Sequence, residues 1–107
     1  MKNYKTLTDK YFEAFLNKDV ETLNELYSNN ITLIDWNINV NGKEEVLLAN
    51  QGLFDLDFTL EVHNTNQSED KTFNEITITI GEEVLNIMDV ITFDENFKII
   101  KIVAYKR

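Results

Sequence analysis

Tyr4, Leu7, Tyr11 and Phe15, flanked by Phe12 and Leu16, recur at intervals of three and four and predict a helix over residues 3–18 with one buried stripe. Asp19 stands where an N-cap belongs, ahead of a second helix in which Val20, Leu23, Leu26 and Tyr27 share a face. The two helices are therefore expected to run antiparallel across a tight turn. Residues 31–36 alternate Ile31, Leu33 and Asp35 against Thr32, Ile34 and Trp36, which predicts a short strand, and residues 37–42 read as a turn. Val46, Leu47, Leu53 and Phe54 fit a third helix over residues 44–54, with Gly52 near its end. Four strands are predicted next, at residues 56–67, 72–80, 83–93 and 97–105. Polar turns at residues 68–71, 81–82 and 94–96 separate them and imply antiparallel neighbours. Ile76, Ile78 and Ile80 alternate with Thr77 and Thr79, so one face of this sheet asks for a cover of helices. The class is α+β, with three helices packed against one curved sheet.

The chain of 107 residues has no proline, three glycines, no internal repeat and no low-complexity linker, so residues 1–107 are expected to form a single domain. The formal charge of −9 argues against nucleic acid and anionic membranes as partners. No cysteine is present, which excludes disulfides, thiolate zinc sites and a cysteine nucleophile. No stretch approaches the roughly 18 apolar residues of a membrane span, and Met1 to Leu7 is polar, so the expected location is the cytoplasm.

His63 is the only histidine, which argues against a histidine metal site, and the motifs of nucleotide cradles and serine-elbow hydrolases are absent. No cofactor is indicated. His63 itself reads as an exposed or interface position in a polar strand row with Asp57, Thr59 and Glu61. Asp89 is more informative. In Leu85, Ile87, Asp89, Ile91 and Phe93 it is the single carboxyl on an apolar strand face, so it must meet a partner, a water or a raised pKa. A protonated Asp89 can donate a hydrogen bond to a developing oxyanion. Asp35, at the end of the first strand beside Trp36, is either a general base at a cavity mouth or a cap of the following turn. Tyr11, on the buried stripe of the first helix, reads alone as core filler.

Taken together, the element order and the segments Lys10-Tyr11-Phe12-Glu13-Ala14-Phe15, Asn17-Lys18-Asp19-Val20, Leu23 to Tyr27, Asp89-Val90-Ile91-Thr92-Phe93-Asp94 and Lys98-Ile99-Ile100-Lys101-Ile102 resemble the nuclear transport factor 2-like superfamily, in its SnoaL-like and ketosteroid isomerase-like branch. The resemblance spans essentially the whole chain. It implies a cone-shaped, curved, mostly antiparallel (mixed) sheet wrapped around three helices from the N-terminal half. It also implies catalytic roles for Tyr11 and Asp89, which fall where the isomerases hold an enolate oxygen, and for Asp35, which falls where they shuttle the proton. Trp36 stands where those isomerases carry a proline. The limonene epoxide hydrolase-like branch needs an arginine between two aspartates, whereas Arg107, the only arginine, lies at the terminus. The scytalone dehydratase-like branch uses histidines inside the cone, which His63 alone does not reproduce.

Two functions are then in competition. One is a cofactor-free isomerase, cyclase or lyase that abstracts a proton beside a carbonyl, in a pocket lined by Phe15, Trp36, Phe54, Phe58, Ile87 and Ile91 and taking a small apolar or carbonyl-bearing ligand. The other is a non-catalytic ligand-binding or dimerising module of the same fold. Catalysis requires the Tyr11 and Asp89 oxygens to converge on a vacant point about 3 Å from both. In either case Val84, Met88 and Val90 on the outward sheet face are expected to form a homodimer contact.

Overall fold

The computed structural model describes residues 3–107. Met1 and Lys2, which open the polar N-terminal segment, lie outside the described residues.

Helix α1 (Tyr4–Leu16) starts at Asn3, whose side chain accepts from the amides of Lys5 and Thr6. Of the predicted stripe it buries Tyr4, Tyr11, Phe12 and Phe15, together with Thr8, whereas Leu7 is partly buried and Leu16, at the last turn, is exposed. It ends in a Schellman turn: Asp19 N–H donates to Ala14 O at 2.8 Å and Lys18 N–H to Phe15 O at 3.2 Å, with Lys18 in the left-handed region at φ 57°. Helix α2 (Val20–Leu26) is capped by Asp19, which accepts from the Thr22 amide at 3.2 Å and the Thr22 hydroxyl at 2.7 Å; these hydrogen bonds lower its pKa.

Strand β1 (Tyr27–Ile34) begins directly where α2 stops, so Tyr27 belongs to the sheet and not to the helical face predicted for it. Asp35 and Trp36 lie beyond its end. The segment read as a turn at 37–42 holds a short strand, β2 (Asn39–Asn41), paired antiparallel to β1. Gly42, at φ 96°, then starts α3 (Lys43–Phe54). Strands β3 (Phe58–Ser68), β4 (Lys71–Ile80), β5 (Glu83–Phe93) and β6 (Ile99–Lys106) follow. The last begins two residues later than predicted, because Asp94 folds the chain back by accepting from the amides of Asn96 and Lys98.

The six strands form one curved sheet in the order β2-β1-β6-β5-β4-β3. β3 to β6 pair antiparallel as the short turns require, and β1 pairs parallel with β6, which makes the sheet mixed. The helices cover its concave face. The alternation along β4 and β5 sends Ile76, Ile78, Ile87, Ile91 and Phe93 into the core with Phe12, Phe15, Leu23, Ile31 and Ile102. A buried polar clamp ties α1 to this face: the Thr8 and Thr72 hydroxyls lie 2.9 Å apart, and Asn74 Nδ2 donates to Thr72 Oγ1 at 3.2 Å and to the Asp89 carbonyl at 3.0 Å. No helix among the described residues is long and apolar enough to cross a membrane.

Candidate functional site

Between α3, the inner end of α1 and the concave faces of β4, β5 and β6 lies a cavity of about 400 Å³. That volume suits a small organic molecule. Ile76, Ile78, Ile80, Leu85, Ile87, Ile102, Ala104 and Leu53 give it an apolar wall, and Tyr11, Asp35, Asn50 and Asp89 are the polar interruptions. Trp36 and Leu56, both substantially exposed, mark its rim. Lys106 Nζ stands 5.3 Å from the centroid of the Trp36 ring.

Asp89 occupies the inner end. Inward residues of β5 line the cavity from Leu85 through Ile87 to Asp89, after which Ile91 and Phe93 pass under α1, where Phe93 stacks on Tyr4. Asp89 is 5% exposed, and no described residue hydrogen-bonds its carboxyl. Burial away from water raises its pKa from 3.8 to about 7. A carboxylic acid is thereby kept neutral, and able to donate, up to near neutral pH.

Tyr27 Oη donates to Asn50 Oδ1 at 2.6 Å, and the Tyr11 and Tyr27 rings lie with centroids 6.3 Å apart. A phenol has one proton, so with it given to Asn50 the Tyr27 oxygen is left as an acceptor. Burial, and the proximity of Asp89, raise both phenol pKa values, so both phenols stay neutral.

Asp35 borders the cavity and also caps the turn after β1. Its Oδ1 accepts from the amides of Asn37 and Ile38, each at 2.7 Å, while Asp35 N–H donates to Ile38 O at 2.8 Å. One carboxylate oxygen therefore closes the turn, and the other has no hydrogen-bond partner among the described residues, so the capping role does not use up the carboxylate.

Of the residues expected along the pocket, Phe15, Trp36 and Ile87 line it, together with Tyr11, Asp35 and Asp89. Phe54, Phe58 and Ile91 do not. Phe54 and Phe58 stack with ring centroids 6.2 Å apart and meet Phe15 edge-on, forming a closed aromatic cluster, and Ile91 is sealed beneath α1. Tyr27 and Asn50 were not singled out as site residues from the sequence. Asn50 carries a legible signal: it sits four residues from both Val46 and Phe54 on a buried stripe, a lone polar group on an apolar face like Asp89. Tyr27 carries none, because its spacing from Leu23 imitates the helix before it. His63 lies away from the cavity on the outer face, with Nε2 2.7 Å from the Thr77 hydroxyl and Nδ1 3.9 Å from Glu61. No group of three or more His, Asp or Glu among the described residues is placed to hold a metal ion.

Solved structures share this architecture. A candidate ketosteroid isomerase from Kribbella flavida superposes with a TM-score of 0.89 at 16% identity, over 97% of this chain and 77% of the other. A nuclear transport factor 2-like protein of unknown function from Cytophaga hutchinsonii gives 0.87 at 11% identity, over 100% and 92%. A candidate polyketide cyclase from Sinorhizobium meliloti gives 0.84 at 14% identity, over 92% and 93%. At these identities the likeness establishes the nuclear transport factor 2-like fold. No curated protein matches the chain by sequence. The SnoaL-like domain model matches residues 8–102, nearly the full length and every element that builds the cavity, and on that match the chain belongs to the SnoaL-like domain family.

Proposed function

We propose that the cavity binds a compact, apolar carbonyl compound and moves a proton at the carbon beside the carbonyl. What carries this reading is Asp89: an almost fully buried carboxyl without a hydrogen-bond partner among the described residues, in the wall of a mostly apolar cavity that Asp35 also borders. In the step we envisage, the free oxygen of Asp35 takes the α-proton. The C–H pair becomes the C=C bond of an enolate, and the carbonyl π pair moves to oxygen, where protonated Asp89 donates to it. Returning the proton to a different carbon isomerises the compound. Tyr11 lines the same cavity and is the second group available to hold the oxyanion.

Proton exchange in D2O with 2-tetralone as the probe tests the reading. Wild type is expected to deplete the α-proton signal faster than buffer alone. Asp35→Asn, which keeps the oxygen that closes the turn, should lower that rate by about a hundredfold or more while still binding the probe. Binding without any enhanced exchange would leave the competing reading, a ligand-binding module.

We further propose a homodimer through the outer sheet face. Tyr105, more than half exposed, pairs with Met88 beside the cross-strand row of Phe73, Val90 and Val103, and Val84, also more than half exposed, stands further along β5 beyond Asn86. Sedimentation equilibrium should give twice the chain mass. A monomer at high concentration would reject the proposal.

A further inference from the structure

One polar group of the cavity wall takes no part in that proton transfer. Asn50 is 94% buried by its 6% exposure, on the cavity side of α3, and its oxygen is occupied by the Tyr27 hydroxyl at 2.6 Å. Its amide nitrogen has no acceptor among the described residues. Nor is that nitrogen sealed in protein, because no enclosed side-chain nitrogen or oxygen among the described residues lacks a partner. The NH2 group therefore reaches the cavity. Leaving such a donor dry and unpaired is unfavourable, and an acceptor on a bound molecule removes that cost.

We propose that Asn50 is a ligand-anchoring donor, oriented by Tyr27, that holds an acceptor oxygen of an uncharged compound. The inference rests on the cavity being a small-molecule site. Tyr27 makes the amide directional: with the phenol proton committed to Oδ1, the amide presents N–H, not C=O, to the occupant. The titratable groups around it are Tyr11, Tyr27, Asp35 and Asp89. Of these Asp35, and Asp89 once it has ionised, disfavour an anionic ligand, and among the described residues no lysine or arginine lines the cavity to offset them. The substrate class that follows is a neutral ketone, ester or lactone on a hydrocarbon frame. Because an amide does not titrate, the anchor also persists at a pH where Asp89 has ionised and stopped donating.

The test compares 2-tetralone with tetralin, the same frame without oxygen, at about pH 5 and about pH 9, on either side of the ordinary working range of a raised carboxyl. Side-chain amide resonances are followed by NMR on 15N-labelled wild type. The Asn50 NH2 pair is expected to move downfield with 2-tetralone and not with tetralin, at both pH values. The ketone should bind roughly fivefold to tenfold more tightly than the hydrocarbon at the higher pH, the scale of one neutral hydrogen bond. Tyr27→Phe, which frees the amide to turn, should shrink that preference while leaving tetralin affinity unchanged. If backbone amides along Ile76 to Ile80 and Leu85 to Asp89 shift with 2-tetralone and the Asn50 pair does not, the cavity reading stands and the role of Asn50 is overturned. If neither probe shifts these signals, the cavity reading fails and the inference falls with it.

Discussion

Asp89 couples the site to the stability of the fold. Its native pKa of about 7 lies above the 3.8 of an exposed carboxyl, so between those values the folded protein holds a proton that the unfolded chain releases. The stability contributed is complete below about pH 3.8 and is lost as pH rises through about 7. Some three pKa units at 1.36 kcal/mol each set an upper figure of about 4 kcal/mol. Asp19, held low by its cap hydrogen bonds, acts in the opposite sense but only at more acidic pH, outside this window. Urea unfolding should therefore show wild type weakening from about pH 5 to about pH 8. Asp89→Asn should remove most of that slope and be the more stable form above neutrality. Equal slopes in the two proteins would mean that Asp89 is hydrated. This residue was legible in the sequence because one acid broke an apolar row of period two. Asn50 broke a row of period three to four in the same way, within a helix whose other polar positions disguised it, and Tyr27 followed a helical spacing into a strand that only tertiary pairing with β6 makes visible.

Among the elements, the α1–α2 connection and the β1–β2 corner place the chemistry. Lys18 adopts the left-handed conformation of a Schellman turn, where glycine costs least, and its amine reaches Leu56 O at 3.1 Å from an exposed position. Lys18→Gly is expected to raise stability by up to about 1 kcal/mol, since relief of the backbone outweighs an exposed hydrogen bond. Thermal unfolding checks this, and a lower midpoint would show that the lysine contact dominates. At the other corner, the Asp35 side chain and β2 together turn the chain so that Trp36 and Ile38 close over the cavity rim. Periodicity located every helix and the five longer strands, although it started β1 four residues late and ran it two residues past its end. It missed β2, whose three residues sit among asparagines and are held by pairing with Leu33 and its neighbours, and it could not reveal the parallel β1–β6 contact between segments about seventy residues apart.

At the scale of the molecule, a cone of sheet closed by three helices leaves an apolar cavity with Trp36, the sole tryptophan, at its rim. Its fluorescence should change when 2-tetralone enters, and Trp36→Phe should abolish the signal without abolishing binding. Invariant emission at saturating probe would place the ligand elsewhere. The fold was readable because consecutive hairpins and an amphipathic helical half leave few ways to cover a single sheet face. The cavity was less so: six aromatic and aliphatic residues were expected along it, and whether each faces empty space or a neighbouring ring depends on packing that spacing does not encode, as the Phe54–Phe58–Phe15 cluster demonstrates.

A protonated carboxyl at the inner end of this cavity separates a proton-transfer site from a merely apolar pocket. A 13C NMR titration of the Asp89 side-chain carboxyl in the ligand-free protein reads that proton. The inflection is expected near 7, well above the ordinary 3.8, with a further upward displacement when 2-tetralone is bound to the acid form. An inflection at the ordinary value, unmoved by the probe, would show a hydrated carboxylate there instead.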